Sequence, residues 1–344
     1  MLALRRQRRT QLVAAVAASL LAASASAQQA PILTLSNGGT VEVLGLRRWT
    51  LGMLQDSLAK YAPADSLQSH ACAKILRYTL GFADAASNAF ILREGEPSRV
   101  VVSVREPQDS ARVHYRVMPL DTVNARPAWR PVTDAIVHRP AVFWPAARAY
   151  LSPVQPGQSA RRSAPPADSA ASAALVTFLQ ARTTERDRRQ ALTVLDHGPN
   201  VYDRVAAVLI LANFGARDDT WWALTDVLRE SDGIAKSVAA DVLQAFSEHT
   251  PRHVRWAPAS GGINAMLDGT SLFVLPQLIE VLTRTGAGTA DARPFLRGGG
   301  EMLLAYLDSA NPMLADRSHQ LLVRLRGEDL GRAVGPWRAW VRTL

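Results

Sequence analysis

The chain has a single cysteine, Cys72, in 344 residues. No internal disulfide can form, so stability has to come from buried apolar area. Lysine is nearly missing: Lys60, Lys74 and Lys236 aside, arginine carries the positive charge, beside abundant alanine. That pairing reads as base-composition bias and not as a binding adaptation. The chain also lacks a G-x-S-x-G elbow, a P-loop and a dinucleotide-type glycine fingerprint, so no familiar hydrolase, nucleotide or nicotinamide site is written in it. Beyond Ala23 no stretch is long and apolar enough for a transmembrane helix, which needs about 20 residues, and no series of amphipathic strands suggests a membrane barrel.

What is present begins with a leader. Arg5, Arg6, Arg8 and Arg9 precede an unbroken apolar and small-residue run, Leu12 to Ala23, and Ala25-Ser26-Ala27 closes it with an A-x-A site. This is the pattern of a secretory signal peptide at 1–27, with cleavage expected after Ala27, before Gln28, and a periplasmic or extracellular destination. A lipid anchor would need a cysteine at the cleavage point, and Cys72 lies far beyond it. Removing the leader's four arginines lowers the formal charge from +9 to +5, a weak signal for nucleic acid, and no nucleic-acid partner is expected. About 317 residues remain, ample for two domains with cores of their own.

Residues 28–118 mix strand and helix patterns. Val41 to Leu44 predicts a strand ending at Gly45, and Thr50 an N-cap for a helix with Leu51, Leu54 and Leu58 on one face. Asp65 or Ser66 is expected to cap a second helix in which Leu67, Ala71, Ile75, Cys72, Leu76 and Leu80 share a broad apolar stripe, with Cys72 pointing inward, and which stops at Gly81. Ala89 to Leu92, Val100 to Val104 and Val113 to Val117 read as strands. The expectation is a small α+β domain of β-α-α-β-β order with an extra strand.

The runs Val41-Glu42-Val43-Leu44-Gly45-Leu46-Arg47-Arg48-Trp49-Thr50, Ile75-Leu76-Arg77-Tyr78-Thr79-Leu80-Gly81-Phe82-Ala83-Asp84 and Arg99 to Glu106 resemble the opening, helix end and closing strand of POTRA (polypeptide-transport-associated) domains. The resemblance covers about a fifth of the chain. It implies an envelope address and client binding by strand addition at a sheet edge. The chain departs from the pattern by lacking a barrel, and an unrelated α+β domain with the same element order is the alternative.

Residues 119–167 carry nine prolines, among them Pro127, Pro131, Pro140 and Pro145, with Trp129, Phe143 and Trp144 between them. Proline at this density predicts a strap without helices or central strands, followed by a flexible linker from Ser152 to Ser169.

From 168 to 344 the pattern is helix after helix: Ala174 to Arg182, Arg186 to Leu195, Tyr202 to Asn213, Thr220 to Arg229 and Ile234 to Glu248, joined by short turns. Val205-Ala206-Ala207-Val208-Leu209 returns as Val238-Ala239-Ala240-Asp241-Val242-Leu243, 33 residues on. With Asp203-Arg204-Val205-Ala206-Ala207, this resembles HEAT repeats. The terminal Leu325-Arg326-Gly327-Glu328-Asp329-Leu330-Gly331 followed by Trp337-Arg338-Ala339-Trp340 resembles the end cap of bacterial HEAT-like proteins, with Arg326 and Leu330 replacing the usual Thr and Phe. The resemblance implies an all-α solenoid. Further helices are expected at Leu272 to Thr283 and Glu301 to Leu307, with a loop at Trp256 to Gly262 and a short helical turn at Ile263 to Leu267.

No residue stands out as catalytic, cofactor-binding or metal-binding. His249 and His253 have the i, i+4 spacing of zinc ligands, but Pro251 between them takes them off one helix face, and a helix C-terminus with nearby histidines is the plainer reading. Gly298-Gly299-Gly300 before a helix offers either amides for an anion or a loop between repeats. Cys72 is expected to be a buried thiol, with an intermolecular bridge as the alternative. Trp221 and Trp222 cannot share one helix face, which leaves one for a partner or for the next repeat. These expectations add up to an exported, non-enzymatic scaffold or adaptor for a protein or peptide in the cell envelope, without cofactor or membrane anchor. An envelope hydrolase with a site between the domains, near Trp256 to Gly262, and a binder of cell-wall polyanions are the alternatives.

Overall fold

The computed structural model describes residues 30–344 apart from 37, 64, 65, 70, 91–96, 119–122, 126, 153–168, 232, 250 and 251. The expected leader, residues 1–27, and most of the expected linker lie outside the described residues.

The N-terminal part is a four-stranded sheet with two helices. It runs β1 (Ile32–Thr34), β2 (Thr40–Leu44), α1 (Leu51–Tyr61), α2 (Ala71–Tyr78), β3 (Asp84–Phe90) and β4 (Arg99–Arg105). The strands lie in the order β1-β2-β4-β3. β2 and β4 are parallel, with Val41 opposite Val100, while β1 and β3 are antiparallel to their neighbours. Thr50 caps α1 as expected, its hydroxyl accepting the Met53 N–H at 3.2 Å. Gly45 ends β2 at φ +92°, and a Cβ there would stand 2.2 Å from the Val104 carbonyl oxygen, so the turn admits only glycine.

Side chains alternate across the sheet with period two. Val41, Val43, Val100, Val102 and Val104 form one core with Leu54, Leu58, Cys72, Leu76 and Phe82 beneath α1 and α2. The opposite face carries Glu42, Leu44, Val101, Ser103 and Arg105, and these are buried too. The sheet is therefore a middle layer, covered on its second face by the helical part of the chain.

Three expectations for this region are corrected. β3 spans Asp84–Phe90 and so starts five residues before the expected strand at Ala89 to Leu92, whose residues 91 and 92 lie outside the described residues; its alanines, serine and asparagine have low strand propensity, and it forms because all seven residues pair along β4. Val113 to Val117 is no strand: it lies along the helices, where the Arg116 N–H bonds the Arg229 carbonyl at 2.9 Å. Helix α2 starts at Ala71, with the Ser69 hydroxyl accepting the Ala71 N–H at 3.0 Å, so Ser66 sits in a turn before it. The order is β-β-α-α-β-β.

The proline-rich stretch is corrected as well. It holds α3 (Arg130–His138) and α4 (Pro140–Leu151). Pro131 and Pro140 fall in first turns, where the missing N–H would have had no helical partner. Pro145 does lie inside α4, where burial of Phe143 and Ala146 offsets its lost bond.

The remainder is helical: α5 (Ser169–Gln180), α6 (Glu185–His197), α7 (Val201–Leu211), α8 (Asp218–Val227), α9 (Gly233–His249), α10 (Ser260–Asp268), α11 (Leu275–Arg284), α12 (Ala292–Leu296), α13 (Glu301–Leu307), α14 (Pro312–Arg326) and α15 (Val334–Val341). A capping box between Thr184 and Asp187 opens α6, and Asn200 caps α7. The two copies of the internal repeat fall on α7 and α9, which pack together with Ala206, Ala207, Ala239 and Ala240 buried. Trp256 to Gly262 is not the expected loop: a 3₁₀ turn at Ala257–Ala259 leads straight into α10, and the Trp256 indole, 1% exposed, donates to the Thr285 hydroxyl. At the C-terminal end Gly327 closes α14 at φ +81°, and the Trp337 indole donates to the Gly331 carbonyl at 2.7 Å. Residues Pro31–Leu344 make one compact unit, and none of the described helices is long and apolar enough to cross a membrane.

Candidate functional site

Among the described residues, charge gathers in several places, and two of them bear on function. The first is the junction between the second face of the sheet and the helices. Arg105, at the end of β4, is 1% exposed and faces Asp268 at the end of α10, Nη2 to Oδ1 3.8 Å. Arg112 reaches Asp268 at 3.7 Å and Glu301, the first residue of α13, at 3.6 Å. Arg47, in the turn between β2 and α1, bonds Glu301 at 2.6 Å and lies 3.5 Å from Asp109. Three guanidiniums meet three carboxylates, so the cluster is neutral as a whole.

Its titration follows from burial. Desolvation lowers Arg105 and raises Asp268 from their ordinary values, each resisted by the other's charge. Glu301 is pushed up by burial, but Arg47, Arg112 and Arg105 outweigh that and hold it below the usual carboxylate range. Glu106, fully buried, is a different device. Its carboxylate accepts the backbone N–H groups of Arg47 at 2.7 Å, Arg48 at 3.0 Å and Trp49 at 2.9 Å, and a bond from the Gln108 amide. Desolvation raises its pKa, and these donors more than reverse that, leaving it lowered.

The same face is tied at further points. Glu42 accepts the Ser309 hydroxyl at 2.5 Å and the Ala310 N–H at 2.8 Å. Ser103 and Tyr306 share a hydroxyl bond of 3.1 Å, and Asp84 accepts the Leu272 N–H at 3.1 Å. The turn after α10 fits tightly: Gly269 has φ +126°, and a Cβ there would stand 2.1 Å from Arg105 Nε. Ser271 takes φ +58°, a conformation that costs a non-glycine residue about 1 kcal/mol, in a turn whose Thr270 hydroxyl accepts the His114 N–H and whose Leu272 N–H bonds Asp84 of β3. Chemically this junction is a lock. Its guanidiniums and carboxylates face one another across the sheet–helix boundary.

The second place is an open groove of about 720 Å³ near the C-terminal end. Arg293 and Arg297 come from α12 and its end, Arg338 and Arg342 from α15 and its end, over a floor of Leu304 and Val341. All four arginines are exposed, and none has an acidic partner among the described residues. Each wall holds its pair at i, i+4, a spacing at which like charges destabilise a helix by about 0.2–0.5 kcal/mol. Glu301 also lines the groove, but its carboxylate is turned to Arg47 and Arg112 of the junction.

The positions singled out in the sequence do not assemble. His249 ends α9 and His253 lies beyond it against Gly286, off any shared helix face. Among the described residues no three His, Cys, Asp or Glu side chains are grouped to hold a metal ion. The amide after Gly298-Gly299-Gly300 does meet an anion, the chain's own Asp268 at 3.3 Å from the Glu301 nitrogen. Cys72 is fully buried. Trp221 is buried, and Trp222 is half-buried with its indole on the Arg255 carbonyl at 2.7 Å. The junction residues carry no local signal in the sequence: Glu42 and Arg105 in a strand pattern read as solvent-facing until the helices cover them. The groove had one, in two arginine pairs at i, i+4.

No family model, curated protein or solved structure matches the chain.

Proposed function

We propose that the protein is a non-enzymatic interaction scaffold of the bacterial envelope, exported by the leader at 1–27 and holding a protein or peptide partner. In this reading the helices are a HEAT-like solenoid, supported by the 33-residue recurrence on α7 and α9 and by the helical build of 169–344. The sheet and its two helices are the POTRA-like part, with β3 as an edge strand.

One observation carries the proposal: the charged groups between sheet and helices neutralise one another, while four arginines without acidic partners among the described residues line one open groove. An enzyme would be expected to show the reverse, with convergent, accessible acid and base groups in the cleft between its parts. In-cell crosslinking of the mature protein followed by mass spectrometry tests the reading. A reproducible envelope partner is expected; a clean monomer across crosslinkers of different reach would refute it. N-terminal sequencing of the exported protein is expected to begin at Gln28.

A further inference from the structure

We propose that the groove between α12 and α15 receives an acidic segment of a partner protein that also carries apolar side chains. The inference rests on the scaffold reading and names the chemistry of its partner.

Charge supplies the first reason. Arg188, Arg252, Arg284 and Arg317 each find a carboxylate within the chain. Arg293, Arg297, Arg338 and Arg342 have none among the described residues; other exposed arginines such as Arg186 and Arg189 also lack one, but these four converge on one concavity. The C-terminal ends of α12 and α15 favour these cations, but four of them around one concavity still repel one another unless an anion sits between them. Guanidinium forks match carboxylates in a bidentate way, so the missing partner is an anion presented from outside.

Shape supplies the second. The volume of about 720 Å³ falls within the range of about 300–1,000 Å³ typical of ligand sites, and the floor of Leu304 and Val341 is apolar. The groove exposes apolar surface beside its arginines, which a uniformly charged polyanion would leave unused. Gly298 and Gly299 line the groove without side chains, which lets a partner backbone approach. The wall at Glu301 is held by Arg47, at 2.6 Å, from the sheet domain, so the groove is shaped before its ligand arrives.

The test uses the full mature chain and fluorescence anisotropy with a labelled peptide of about eight alternating Glu and Leu residues. A Lys–Leu peptide, an all-Glu peptide and inorganic polyphosphate are the comparators. The Glu–Leu peptide is expected to bind, more weakly as salt rises, and the Lys–Leu peptide not to bind. R297E/R338E should weaken binding by at least about tenfold, R297Q/R338Q by less, and the equal charge change R186E/R189E on α6 by less than about twofold. Circular dichroism melts of each variant establish that it is folded.

The proposal is overturned if the Glu–Leu peptide does not bind, or if groove and α6 variants lose affinity alike. It is overturned equally if polyphosphate or all-Glu peptide binds the groove more tightly than Glu–Leu, which would make it a polyanion site. A crosslinked envelope partner that persists in R297E/R338E cells would remove the groove and leave the scaffold. Absence of any crosslinked partner would remove the scaffold itself.

Discussion

Replacing Glu106 by Gln changes almost no volume, yet it should measurably loosen the whole unit. The wild-type carboxylate is fully buried and accepts three consecutive backbone N–H groups, from Arg47 to Trp49, at 2.7–3.0 Å. Hydrogen bonds to a charged acceptor contribute about 1.5–3 kcal/mol each, against about 0.5–1.5 kcal/mol for neutral ones. Three such conversions, with partial relaxation, predict a loss of about 2–3 kcal/mol near neutral pH. The pH dependence gives the sharper test. The folded-state pKa of Glu106 is lowered, so its contribution is complete above the unfolded value near 4.5 and is lost as pH falls through the folded value. Urea unfolding followed by tryptophan fluorescence should show a gap between wild type and Glu106→Gln that is widest above about pH 5 and closes on acidification. A gap under about 0.5 kcal/mol at pH 7, or one of constant size down to pH 3, would refute the assignment of the carboxylate as the clamp on this turn.

Other outcomes follow from the packing. Gly269→Ala should destabilise by about 2–3 kcal/mol, because its Cβ would strike Arg105 Nε and its φ is +126°; chemical denaturation checks this, and a cost below 1 kcal/mol would mean the turn relaxes freely. Trp337→Phe should cost about 1 kcal/mol or more by deleting the bond to the Gly331 carbonyl, measured as a lower melting temperature. Cys72, fully buried, should react with a thiol reagent only at the rate of unfolding in mild urea; rapid labelling of the native protein would contradict its placement beneath the sheet.

Local signals in the sequence were readable where they agree with the final packing. Thr50 before Leu51, Leu54 and Leu58 predicts α1, and the three- and four-residue apolar spacing predicts α6 to α9, because caps and helical faces are decided within a few residues. β3 was displaced because Asp84-Ala85-Ala86-Ser87 is a strand only by virtue of β4 beside it. The proline-rich stretch misled because Pro131 and Pro140 start helices, where proline is tolerated, although density alone suggests a strap. The junction was invisible for a different reason. Arg105 and Asp268, or Arg47 and Glu301, lie far apart in the chain, and nothing local marks them as partners. Glu42 shows the same limit: a carboxylate in strand alternation reads as solvent-facing until Ser309 and Ala310 cover it.

The most direct test of the account is site-specific photo-crosslinking in cells, with the photoreactive residue at Pro294 in the groove and, as control, at Arg186 on α6. One envelope protein captured through an acidic segment is expected from position 294 and not from 186. Equal adducts from both positions, or none from 294 while the protein is exported and folded, would contradict it.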